Sequence, residues 1–281
     1  MKDLRGRTAV ITGAASGTGR GLAERAAREG MNVVLADIED EPLAQTAAML
    51  EDIGVNVLAV RTDVSQGASV EALAQQALDR FGAVHLLCNN AGVGSPGKTI
   101  WKHTQADWDW VLGVNLHGVI NGLRVFVPIM LEQNADSHIV NTASIAGLTS
   151  SPWRGAYAVS KHGVVTISEM LHQELAQESN GRVNVSVLCP GLVNTGIQTS
   201  KRNRPAALTN APDDDVQSEG FRAWLASGTG NGISPTQAAD IVFRAIDEQR
   251  FYILTDPDQK VFVRERMEAI LDERDPGGLI G

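Results

Sequence analysis

Cysteine is nearly absent: Cys88 and Cys189 are the only two in 281 residues. That excludes a disulfide framework, and with no CxxC and no paired histidine at ligand spacing the metal-site signature is missing too. Both thiols close apolar runs, which is where reduced core cysteines belong. Basic charge is also short, with Lys+Arg 24 against Asp+Glu 33 and a formal charge of −9. Such a chain repels phosphate backbones and anionic lipid in bulk, so neither nucleic acid nor a membrane is an expected partner. The one basic cluster, Lys201-Arg202-Asn203-Arg204, is followed by Asp213-Asp214-Asp215 and reads as a solvated loop. No run approaches the ~18 apolar residues of a membrane span, and Met1–Arg7 holds no apolar stretch of signal-peptide length. The expected location is the cytoplasm. Internal repeats and low-complexity tracts are missing as well.

What is present suits one large soluble domain: 43% apolar residues, 20% charged, 28 Gly and 10 Pro. Short β-branched runs at Thr8–Thr12, Val33–Asp37, Val57–Thr62, Leu86–Asn89, His138–Ala143, Val183–Leu188 and Phe251–Thr255 predict strands. Helical spacing fills most of the intervals, over Gly19–Glu29, Glu41–Ile53, Ala68–Phe81, Asp107–Gln133 and Tyr157–Gln177. Pro128 should kink or shorten the fourth of these. The alternation predicts an α/β, Rossmann-type, doubly wound parallel sheet of seven strands with helices on both faces.

In such sheets ligands bind beyond the carboxyl ends of the strands. Polar or glycine-rich residues gather at that edge: Gly13 to Gly19, Asp37, Asp63-Val64, Asn89-Asn90-Ala91-Gly92, Ser144 and Pro190-Gly191. Any one is an ordinary turn, but six together outline a site. Gly13, Gly17 and Gly19 stand between a strand and a helix, where small residues let backbone amides approach a pyrophosphate. Asp37 ends the next strand, 18 residues after Gly19. A carboxylate there accepts ribose hydroxyls and repels a 2′-phosphate, which favours NAD over NADP. Ile38 follows it, and the cations that oppose this reading are Arg20 and Arg61.

Tyr157 and Lys161 stand four apart in a helical segment and so share a face. A nearby ammonium favours phenolate and lowers a tyrosine pKa from its free value near ~10, as a general acid/base requires. An isolated pair is more simply a half-buried Tyr beside an exposed Lys. Here Ser144, 13 residues upstream at a strand end, offers its hydroxyl to a substrate oxygen, and the three make a hydride-transfer set needing no metal.

The sequence Thr12-Gly13-x3-Gly17-x-Gly19, with Asp63-Val64, Asn89-Asn90-Ala91-Gly92, Asn115, Ser144, Tyr157-x3-Lys161 and Pro190-Gly191, resembles the short-chain dehydrogenase/reductase family over about residues 4–255. The resemblance implies that Tyr157 is the acid/base, and that Lys161 lowers its pKa and holds the nicotinamide ribose. Ser144 would orient the substrate oxygen, and Asn115 would keep Lys161 in a proton relay. It further implies that Ser16, Thr18, Asp63, Val64, Asn89, Ala91 and Gly92 line the cofactor, with Pro190, Gly191, Val193 and Thr195 over its nicotinamide end. A looser similarity, over Asp107–Met130 and Phe251–Leu254, is to aryl-ether alcohol dehydrogenases.

The resemblance also implies a substrate lid over about 195–232, containing Phe221, Trp224 and Leu225, and a homotetramer or homodimer. A C-terminal helical tail follows about residue 256. Trp153 and Leu148 are candidates for an apolar wall, with Arg154 unassigned. The expected activity is interconversion of a bulky, neutral secondary alcohol and its ketone with NAD. The alternatives are an NADPH-dependent ketone reductase and a non-catalytic NAD-binding sensor or scaffold.

Overall fold

Aliphatic runs buried on both faces form the centre of the molecule. Every residue of Thr8–Thr12 (β1) is buried, as are Val33–Ala36 within Asn32–Asp37 (β2) and all of Leu86–Asn89 (β4). A strand covered on both sides reads as a continuous apolar run, as in parallel sheets. The remaining strands are Val57–Arg61 (β3), Ser137–Thr142 (β5), Val183–Cys189 (β6) and Tyr252–Leu254 (β7). These coordinates are a computed structural model, which describes residues 3–211, Phe221 and 232–277.

The strands lie in the order β3-β2-β1-β4-β5-β6-β7, and every neighbouring pair is parallel. The winding direction reverses between β1 and β4, which opens a crevice at the carboxyl ends of these two strands. On one face, Gly17–Arg28 (α1), Asp40–Glu51 (α2) and Pro235–Asp247 (α7) bury Leu22, Leu43 and Val242 in a single cluster. On the other, Gly67–Phe81 (α3), Gly118–Glu132 (α5) and Gly155–Glu178 (α6) bury Leu73, Phe126 and Leu171. The expected fold is thus present. Lys260–Leu271 (α8) is the C-terminal helix, and Ala269 is its buried residue.

The long helical segment departs from expectation. Pro128 lies inside α5, and the helix runs on to Glu132. It falls in the last turn and a half, where the lost N–H bond disturbs little of the helix that follows. The irregularity lies earlier: Gln105–Leu112 (α4) passes into a π-turn at Gly113–His117 before α5 begins. Helix is continuous from Gln105 to Glu132, 28 residues with an 18-residue window of mean hydropathy 1.4. By length and composition such a helix could cross a membrane, but Val111, Val119, Phe126 and Met130 along it are buried in the cores beside the sheet.

Candidate active site

A cleft of about 560 Å³ runs along the carboxyl edge of the sheet. At one end the turn after β1 brings Gly13, Ser16, Gly17 and Thr18 to its wall. Gly13 adopts φ +68°, and a Cβ there would stand 2.8 Å from the Ala91 Cα. Only glycine meets both demands. Gly19 does not line the cleft; a Cβ on it would fall 2.0 Å from the Gly13 carbonyl oxygen, so its role is to let α1 close against the turn. Thr12 ties this turn to the one after β4: its Oγ1 accepts from the N–H groups of Asn90 and Ala91 at 2.9 and 3.1 Å.

Asp37 lines the cleft beside Ile38. Its Oδ2 accepts from the Ala15 N–H at 2.9 Å and its Oδ1 from the Glu39 N–H at 3.1 Å. Burial raises its pKa, and these backbone donors, with that of Ile38, counter the rise. Asp63, Val64, Ala91 and Gly92 continue the wall. Asn89 does not reach it: its amide is buried and donates to Asn141 Oδ1 at 2.9 Å. The alternation of a strand turns neighbouring side chains to opposite faces, and Asn90 lines the cleft instead. Arg20 and Arg61 are both on carboxylates, Glu24 at 3.2 Å and Asp40 at 3.3 Å, and neither lines the cleft.

Ser144, Tyr157 and Lys161 share a further stretch of wall, and Pro190, Gly191 and Val193 line the cleft as well. Thr195 lines it too, but against the β1 turn, 3.0 Å from where a Cβ on Gly17 would be. β5 ends just before Ser144, whose Oγ accepts from the Ala146 N–H at 3.2 Å. Lys161 is buried; its Nζ donates to the Thr142 carbonyl at 2.9 Å and lies 5.6 Å from the Tyr157 ring centre. Burial pulls the Lys161 pKa down to about 8. Burial also raises that of Tyr157, while the Ser144 hydroxyl and the Arg154 charge favour its anion. Ser144 and Arg154 thus counter a rise that burial dominates, while the Lys161 Nζ beside the ring is anchored on the Thr142 carbonyl.

Asn115 stands behind this wall, fully buried in the π-turn. Its Oδ1 accepts from the Val93 N–H at 2.7 Å, and its Nδ2 donates to the Val93 carbonyl at 3.0 Å and Ser160 Oγ at 3.2 Å. Asn115 Oδ1 and Lys161 Nζ flank Gly92, at 3.4 and 3.5 Å from where its Cβ would be. The two residues meet around one backbone position.

Several lining residues escaped the sequence reading. Glu39, Asn90, Thr62, Trp110, Val114, Gln259 and Phe262 all reach the cleft. Glu39, Thr62 and Val114 adjoin expected residues, and Asn90 lies within the Asn-Asn-Ala-Gly motif itself; the other three carry no local signal. Trp153 lines the cleft as expected and holds φ +65°, a left-handed conformation costly for a bulky side chain. Arg154 lines it too, whereas Leu148 packs into the hydrophobic cluster around Val164 and Val165.

The Lys201–Arg204 cluster is solvated only in part: Lys201 and Arg202 are exposed, whereas the Arg204 side chain is buried. All four residues line the cleft, in or beside the 3-10 turn Gly196–Asn203. Arg204 Nη1 donates at 2.7 Å to Asp107, a fully buried carboxylate that also accepts from Lys98 Nζ at 3.2 Å and Asn210 Nδ2 at 2.7 Å. Ser200 Oγ accepts from the Gly94 N–H at 2.9 Å. The front of the expected lid is thus pinned to α4 and to the turn after β4. Phe221 also lines the cleft, while Asp213–Asp215, Trp224 and Leu225 lie outside the described residues.

Known proteins show the same plan. A short-chain dehydrogenase from Burkholderia phymatum, solved in complex with NAD, superposes with a TM-score of 0.94 at 47% identity, covering 100% of both chains. The CLA biosynthesis dehydrogenase/reductase of Lactiplantibacillus plantarum is 36% identical over 279 residues, 98% of this chain and 97% of its own. The C alpha-dehydrogenase of Sphingobium sp. is 33% identical over 284 residues, 99% of this chain and 91% of its own. Residues 7–206 match the family described as short chain dehydrogenase. On the strength of that match, these relatives and the shared sheet, the chain belongs to the short-chain dehydrogenase family.

Proposed function

We propose that this oxidoreductase interconverts a secondary alcohol and its ketone, using NAD. The observation that carries the reading is one wall bearing Ser144, Tyr157 and Lys161, continuous with a dinucleotide-sized cleft that ends at Asp37. The residues fit the cofactor. The Gly13 turn closes on Ala91 with no room for a side chain, the Ser16–Gly17 turn opens α1, and a partly buried carboxylate stands where ribose hydroxyls would be received. The NAD complex of the Burkholderia phymatum relative supports the choice of nucleotide.

A bound nicotinamide supplies the hydride acceptor or donor. The chain's own residues manage the proton and the substrate oxygen. In oxidation the Tyr157 phenolate takes the hydroxyl proton, and in reduction the phenol returns it. Ser144 donates to the same oxygen and steadies the charge that develops on it. Lys161 supplies positive charge beneath the tyrosine. Trp110, Val114, Trp153 and Phe221 suit a bulky hydrophobic or aromatic carbinol, and the similarity to C alpha-dehydrogenase and to 1-deoxy-11-beta-hydroxypentalenate dehydrogenase of Streptomyces arenae is consistent with one. Val159 and Met170, exposed on α6, suit a homotetramer or homodimer, which light scattering would reveal.

The test is nicotinamide absorbance across a panel of aryl and aliphatic secondary alcohols and ketones, with both nucleotides. Turnover should be confined to such substrates and favour NAD. Tyr157→Phe should abolish it while NADH fluorescence still reports binding. Unchanged turnover in that variant, or a clear preference for NADPH, would overturn the reading.

A further inference from the structure

We propose that the Glu39–Arg202 ion pair is a second determinant of nucleotide choice, holding a cation away from the position of a 2′-phosphate. The inference rests on the NAD reading above. Glu39 follows Asp37 by two residues at the start of α2, while Arg202 belongs to the 3-10 turn after β6. The two are 163 positions apart in sequence, yet both line the same cleft as Asp37.

The contact is a two-pronged one. Arg202 Nε donates to Glu39 Oε1 at 2.8 Å and Nη2 donates to Oε2 at 2.7 Å. Its Nη1 donates to Thr199 Oγ1 at 3.0 Å and, less closely, to the Gly196 carbonyl at 3.4 Å. Every nitrogen of the guanidinium is thus engaged, and the planar fork is held in one orientation. The Asn203 side chain adds a hydrogen bond to the same carboxylate.

Three formal charges meet at this end of the cleft: Asp37, Glu39 and Arg202, one net negative charge. Arg61, which pairs with Asp37 across the β2–β3 register, is on Asp40 at 3.3 Å. A 2′-hydroxyl needs only an acceptor, which Asp37 offers. A 2′-phosphate brings further negative charge and needs a cation. Arg202 is a cation set beside both acids, and Glu39 occupies it. Discrimination therefore depends on two carboxylates: Asp37, which repels the phosphate directly, and Glu39, which withholds its natural partner. A site gains specificity by penalising the near-identical ligand as well as by favouring the right one.

The experiment titrates the intact protein with NADH and with NADPH by fluorescence and compares the ratio of the two affinities. Glu39→Gln should raise NADPH affinity relative to NADH by about tenfold, the scale of one charge-assisted hydrogen bond to phosphate. In the Arg202→Gln background the same exchange should shift the ratio by less than about twofold, because no guanidinium is released. Arg202→Gln alone should weaken NADPH further, since two uncompensated carboxylates then face the phosphate. A ratio unmoved by Glu39→Gln, or a gain that persists without Arg202, overturns the inference and leaves the NAD reading standing. A wild-type chain that binds NADPH as well as NADH, or binds neither, overturns that reading and the inference with it. If Glu39→Gln does not fold, Arg202→Gln decides: an unchanged ratio overturns the inference.

Discussion

Lys161 Nζ donates to the Thr142 carbonyl at 2.9 Å while lying 5.6 Å from the centre of the Tyr157 ring. The ammonium is thus anchored to the end of β5, beneath the tyrosine, in a buried position that opposes its charge. Its pKa falls from 10.5 to about 8. Between these values the unfolded chain holds a proton that the folded chain has released, so stability rises with pH across this window. Relative to Lys161→Met, the wild type should gain up to about 3 kcal/mol between pH 7 and 10. Urea unfolding of both proteins at several pH values measures this. A constant difference between them would sink the argument.

Asn115 owes its place to the π-turn at Gly113–His117, since an extra residue in one turn shifts the side chain off regular helical phase. Both ends of its amide are engaged, with Val93 and Ser160. Asn115→Leu leaves the Val93 N–H and carbonyl unpaired in the interior, at a cost of about 1–3 kcal/mol for each group left unsatisfied. The melting temperature should drop by several degrees and kcat should fall more than KM rises, because Gly92 and Lys161 lose a shared support. An unaltered kcat at a lowered melting temperature would restrict Asn115 to a structural role.

The strands, their parallel order and most of the cleft were legible because a buried parallel strand and its following turn are local signals. Thr8–Thr12 and Leu86–Asn89 match expectation residue for residue. Helix α7 is not among the expected helices although Ser234 and Gln237 form a capping box with Pro235 at its first position. That signature was available. Others were not. The π-turn leaves the apolar pattern of α4 and α5 looking continuous, so the sequence marks only Pro128 as a break. Arg202 and Arg204 read as solvated because their partners, Glu39 and Asp107, lie 163 and 97 positions away. Nearby acidic residues were the wrong guide: the fold, and no local pattern, chooses which carboxylate meets which guanidinium.

Asp107 marks the strongest of those long-range choices. Burial alone would raise its pKa, yet hydrogen bonds from Asn210, Arg204, the Thr104 N–H and Lys98 hold it at about 2. Removing the carboxylate leaves Lys98 and Arg204 buried without their shared anion, so Asp107→Ala should destabilise the fold by about 3–5 kcal/mol. The native protein should lose this part of its stability as pH falls through the interval from 3.8 to about 2, since the folded pKa is the depressed one. Thermal or urea unfolding of wild type and variant at pH 7 and at pH 3 tests both statements. A gap that fails to narrow in acid would contradict them.

Gly19 offers the cleanest separation of packing from chemistry, because it lies outside the cleft yet determines the cleft's shape. A methyl group there would stand 2.0 Å from the Gly13 carbonyl oxygen and 2.6 Å from Asn90 Nδ2. The Asn90 amide can move, but it donates to the Thr12 carbonyl at 3.0 Å, and the Gly13 backbone is held against Ala91. Gly19→Ala must therefore push α1 away from the end of β1, at about 1–3 kcal/mol of overpacking. The helix N-terminus moves with it, and the amides meant for a pyrophosphate lose alignment. NADH affinity should fall by about tenfold or more for a loss of that size, while far-ultraviolet circular dichroism stays native. Wild-type affinity in this variant would show that the turn tolerates the extra methyl and that the close approach of Gly19 to Gly13 does not control binding.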